Sequence, residues 1–185
     1  MKFVRLIPAL ILFLVCAVSF AQSGANTAAP SDAQKSFATL KTLSGDWEGM
    51  VTLDPPQPGY QSERYHISMR VTSRGNSVVH EMQLAGTPFD PTKYDHPITM
   101  FYLDTDRLNL VHYCDAGNRP HMVAKKSDGK TLDFDFVDMS GGNQNGHMYH
   151  VLFTLVDANH HIEDWTFMAP GDKLGLARFD LHRVQ

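Results

Sequence analysis

The sequence predicts an all-β protein: one antiparallel up-and-down β-barrel of about ten strands, preceded by a single short helix. From Trp47 onward apolar and polar side chains alternate with period two. Turn-forming residues recur roughly every eight to twelve positions, and no second helical periodicity interrupts them.

The chain opens with Lys2 and Arg5 ahead of an apolar run from Leu6 to Phe20, followed by the small residues Ser19 and Ala21 at cleavage-site positions. Residues 1–21 are therefore expected to be a signal peptide. The run falls short of the roughly 20 residues a membrane-spanning helix needs, and Pro8 interrupts it, which disfavours a retained anchor. Val15 before Cys16 disfavours lipidation. The expected location is the periplasm or the exterior, with no membrane anchor after cleavage. Losing Lys2 and Arg5 takes the net charge from −4 to about −6. The chain shows no basic patch for nucleic acid. Cleavage also removes Cys16, leaving Cys114 without an internal disulfide partner.

Residues 22–30 are small, polar and aperiodic, and read as a disordered leader to one domain over 31–185. Ser31 and Gln34 form a capping box, after which Ala33, Phe37, Leu40 and Leu43 recur at helical spacing until Gly45. This helix must bury its stripe across one end of the strand-rich region. Strands are expected near 46–53, 61–73, 76–84, 97–104, 107–115, 121–127, 130–137, 147–157, 160–168 and 175–184. The links at Ser73 to Asn76, Asp104 to Asp106, Asp128-Gly129 and Asp157 to Asn159 are short enough for hairpins, so the strands should meander. A meander of this length hides both edges by closing, which favours a barrel over a sandwich.

Alternation places Tyr65, Ile67, Met69 and Val71 on one interior row, and Leu132, Phe134 and Phe136 on another. Leu108, Leu110, His112 and Cys114 form a third row, and His147, Tyr149, Val151, Phe153 and Leu155 a fourth. The two rows bearing a histidine are otherwise mainly apolar. A ten-strand barrel has room inside for a guest. The expected ligand site is Tyr65, Met69, His112, Cys114, Phe134, Phe136, His147, Tyr149 and Trp165, with the polar members orienting a small, mostly apolar molecule. His112 and Cys114 are spaced to share a metal, but zinc sites normally show more ligands, so a hydrogen-bonded core histidine is the favoured reading and no metal is expected. Glu163 and Asp164 fall on opposite faces and make a poor acid-base couple. No nucleophile elbow, metalloprotease helix or phosphate loop occurs, so no catalytic residue is assigned. An enzyme using His112 as a base is the alternative of another class.

The run Leu43-Ser44-Gly45-Asp46-Trp47-Glu48-Gly49, after a short helix, resembles the Gly-x-Trp opening of lipocalins and related calycin barrels. That resemblance implies that Trp47 closes the barrel floor under a cation-π contact from a last-strand arginine, Arg183 or failing that Arg178. The segments from Met100 to Asp104, Leu110 to Cys114, Gly117 to Pro120, Phe134 to Asp138 and Gly146 to Met148 resemble a group of uncharacterised exported bacterial proteins with a lipocalin-like domain. That group has no established activity to lend. A wider similarity is to nitrobindin-like barrels, which implies haem as the alternative ligand, held by one of His147, His150, His160, His161 or His182. No other cofactor is expected.

Overall fold

A computed structural model of the chain describes residues 29–57, 63–125 and 127–184. The expected signal peptide, most of the expected leader and Cys16 lie outside the described residues. Helix α1 (Asp32–Thr42) starts on the anticipated capping box: the Gln34 amide donates to Ser31 Oγ, and the Ser31 amide donates to Gln34 Oε1. Its apolar stripe is buried through Phe37 and Leu40, and Leu43 follows at the C-cap.

The strands are β1 (Gly45–Asp54), β2 (Arg64–Thr72), β3 (Ser77–Leu84), β4 (Ile98–Asp104), β5 (Arg107–Tyr113), β6 (Arg119–Ala124), β7 (Thr131–Ser140), β8 (His147–Asp157), β9 (His160–Ala169) and β10 (Lys173–Arg183). They close into one barrel in the order β1-β10-β9-β8-β7-β6-β5-β4-β3-β2, with sequence neighbours antiparallel throughout and β1 also pairing with β10. Closure removes both sheet edges, as the meander requires. Among the described residues no helix is long and apolar enough to cross a membrane.

Two glycines of the first strand set its approach to its neighbours. Gly45 has φ +136°, and a Cβ there would meet the Arg183 guanidinium. A Cβ at Gly49 would run into the Asp180 carbonyl on β10. The closed end is built on Trp47, which is fully buried and donates from Nε1 to the Leu43 carbonyl at 2.7 Å. Arg183 lies over the Trp47 ring at 4.1 Å and donates to the carbonyls of Ser44 and Thr42. It therefore ties the last strand to the end of α1. Arg178 is committed elsewhere, to Asp164 on the outer wall.

Interior packing follows most of the expected rows. Ile67, Met69, Leu108, Leu110, His112, Leu132, Phe134, Val151 and Phe153 are all buried. Val71 is not: it is 43% exposed because β1 begins at Gly45, opposite Met69, and leaves Val71 without a neighbour on that side. The row from His147 to Leu155 also breaks. A register shift between Met148 and His150 puts Met148 opposite Phe167 and His147 opposite Met168, and leaves Tyr149 exposed.

Candidate functional site

The barrel interior is a hydrophobic core wrapped around a charged and polar centre. On β9 the inward residues are His161, Glu163 and Trp165, all buried, while His160, Ile162 and Asp164 alternate with them. The Glu163 carboxylate accepts from Trp165 Nε1 at 2.8 Å, His161 Nε2 at 2.9 Å and His80 Nε2 at 3.0 Å. His80 reaches it from β3, where Val78, His80 and Met82 form the buried row. Burial alone would raise the Glu163 pKa, but the charge on His80 and the hydrogen bonds from His161 and His80 outweigh it. They hold the carboxyl well below the ordinary carboxylate range.

His112 belongs to the same interior. Met69, His80, Thr99 and His112 are successive cross-strand partners over β2 to β5, so all four point inward along one row. His112 Nδ1 is hydrogen-bonded to Thr99 Oγ1 at 2.8 Å, and its ring lies 5.3 Å from Trp165. Burial, and secondarily the charge on His80, push its pKa down to about 3, so it is a neutral imidazole at ordinary pH. His80 Nδ1, His112 Nε2 and His161 Nδ1 are buried without a protein hydrogen-bond partner. Each can make one further hydrogen bond, with water or with a polar group of a guest.

Above this centre the barrel opens into a mostly apolar pocket of about 370 Å³, lined by β1, β8, β9 and β10. Leu53, Met148, Phe167, Leu176 and Ala177 contribute to its walls, with Pro55 and Leu174 also lining it. Trp165 links pocket and centre: its ring contributes to the pocket lining and its Nε1 is anchored on Glu163. Gly175 also lines the pocket, and a Cβ there would meet nothing within 4 Å.

The sequence-predicted site residues separate into groups. Met69, His112, Phe134 and Trp165 share the interior, and Trp165 alone of the nine lines the mouth pocket. Tyr65 packs edge-on against Phe179 at 5.1 Å. Phe136, His147 and Tyr149 form a separate aromatic group, with Phe136 4.6 Å from His147 and stacked on Tyr149 at 6.1 Å. His147 Nδ1 bonds Asn143, and burial lowers its pKa. Cys114 lines a different cavity of about 560 Å³, beside Tyr94, Asp95 and His96. Burial raises its pKa and keeps it a thiol.

Sequence reasoning missed His80 and did not bring it together with Glu163 or with His161, which it offered only as one of five histidines that the wider resemblance implies for haem. For His80 a signal is present, since it stands between Val78 and Met82 on an alternating row, whereas His161 has polar Asn159 and Glu163 two places away and Glu163 has only Trp165 as an apolar neighbour on its face. In the sequence Glu163 reads only as a partner for Asp164, and the two do lie on opposite faces. No model of a known protein family and no curated protein matches the chain.

Proposed function

We propose that the protein is an exported carrier that holds a small, mostly apolar molecule in the mouth of the barrel, against the Trp165 ring. The observation that carries this reading is the pocket itself. It is concave and mainly apolar, and its aromatic wall is fixed from behind by a buried carboxylate. Anchoring Trp165 through a charge-assisted hydrogen bond sets the ring orientation before any guest arrives, which lowers the ordering cost of binding. Export rests on the amino-terminal pattern of Lys2, Arg5, the apolar run and Ala21.

No catalysis is required by this arrangement. Glu163 is the one fully buried carboxylate in the described interior, and its oxygens are taken by three donors. His112 is absent from the described lining of the mouth pocket. That lining holds no histidine at all, so an imidazole-ligated haem does not fit there.

Gly175→Leu provides the test, because the added side chain enters open pocket space and meets no existing atom at its Cβ. Titration with N-phenyl-1-naphthylamine should give saturable fluorescence enhancement in the native chain. Gly175→Leu should weaken it at least about ten-fold, a loss of roughly 1.4 kcal/mol. Equal binding by both chains, or no saturation in either, would refute the mouth site.

A further inference from the structure

We propose a second site, on the outer wall of the barrel, in which His160, Asp180 and His182 hold one borderline divalent transition ion such as zinc. His160 on β9 and His182 on β10 are direct cross-strand partners, and Asp180 lies two residues before His182 on the same outward face. The two imidazole rings stack at 4.3 Å, and both Nε2 atoms turn to the same carboxylate oxygen. His160 Nε2 is 2.8 Å from Asp180 Oδ1, and His182 Nε2 is 3.5 Å from it. All three ligand atoms lie within 4.8 Å of one another.

Those separations suit the chemistry. Bonds of about 2.0–2.1 Å to a tetrahedral zinc hold neighbouring ligands about 3.3–3.4 Å apart, and 2.8 and 3.5 Å bracket that value. Small side-chain rotations then suffice, on strands whose register is fixed by barrel closure. Two imidazoles and a carboxylate select zinc, copper or nickel over magnesium, which favours all-oxygen sites. Asp180 and His182 also line a surface groove of about 530 Å³ with Glu48 and Arg64, so a fourth position would face solvent or an external ligand.

The register extends the same chemistry sideways. Glu48 on β1 stands opposite both His182 and His66, placing His66, Glu48, His182 and His160 in one outward row across four strands. A second group of possible ligands, Asp133, Asp135 and His150, differs in already holding a cation. The Lys125 ammonium lies 3.5 Å from Asp133 and 2.9 Å from Asp135, and only one imidazole is present.

Isothermal titration of the untagged full chain with zinc chloride tests the proposal, with magnesium chloride as the control ion. One zinc equivalent should bind, and magnesium should give no saturable heat. Loss of one ligand should cost at least what loss of a supporting partner costs, so His182→Ala and the near-isosteric Asp180→Asn should each weaken zinc at least about ten-fold. His150→Ala should leave zinc binding unchanged. The altered side chains lie on the outer wall, so each variant should keep the barrel, which circular dichroism checks. Absence of saturable zinc binding, unchanged affinity in both His182→Ala and Asp180→Asn, or loss of the site in His150→Ala would overturn the assignment.

Discussion

Glu163 carries a negative charge in the middle of the barrel, where an unpaired charge would be unsustainable. Its three donors make it tolerable, and removing one member of such a buried pair typically costs about 3–5 kcal/mol. Glu163→Gln should therefore lower the urea stability of the protein by about that amount. It should also change the environment of Trp165, whose indole N–H loses its charged acceptor. Unchanged stability would mean that the network is incidental. His112 contributes through pH in a second way. Its folded pKa of about 3 lies below the ordinary value of 6.5, so its contribution is fully present above about pH 6.5 and is lost as pH falls toward 3. Over that window the unfolded chain binds one more proton at this position, a slope of about 1.4 kcal/mol per pH unit. His112→Gln removes the titration and should flatten the fall in unfolding free energy between pH 6 and pH 4. Identical slopes would contradict the assignment of a neutral buried ring. His112 is legible in the sequence because it stands on a visibly apolar row. The hairpin expected through Asp104 to Asp106 also makes Thr99 its neighbour, but its orphaned Nε2 is not legible, since alternation gives the face of a side chain and not the atoms that surround it.

At the scale of elements, the ten strands follow from period-two alternation punctuated by short turns, and the observed bounds differ from the expected ones mainly at strand ends. The sequence rows fail where the period itself is broken. The register shift at β8 exchanges Met148 for Tyr149 at the barrel mouth, and no turn residue marks it. Val71 fails for another reason, because burial there depends on where β1 begins. The β1–β10 seam offers a direct contrast between two glycines. Gly49→Ala pushes a methyl group into the Asp180 carbonyl and should destabilise the protein by about 1–3 kcal/mol. Gly175→Ala meets no atom within 4 Å and should stabilise it by about 0.5–1 kcal/mol through lower chain entropy. Thermal unfolding of the two variants should thus move in opposite directions. A common direction would show that close approach of β1 to β10 is not what requires glycine at position 49.

For the whole molecule, closure of the strands and the Trp47-Arg183 contact give a barrel sealed at the α1 end, with polarity concentrated beneath an apolar mouth. In the proposed reading the mouth binds the guest, the buried polar centre orients Trp165, and the outer wall carries the histidine-rich row. Export makes a separate, checkable statement: protein recovered from outside the cytoplasm should begin at Gln22, and recovery with Met1 intact from that fraction would contradict cleavage after Ala21. The decisive experiment on binding is native mass spectrometry of the chain purified from its own cells under gentle conditions. A carrier should show a discrete added mass, released on denaturation and absent from Gly175→Leu, with no Soret absorbance accompanying it. A bare chain mass, or an adduct retained unchanged in Gly175→Leu, would contradict a carrier that holds its guest against Trp165.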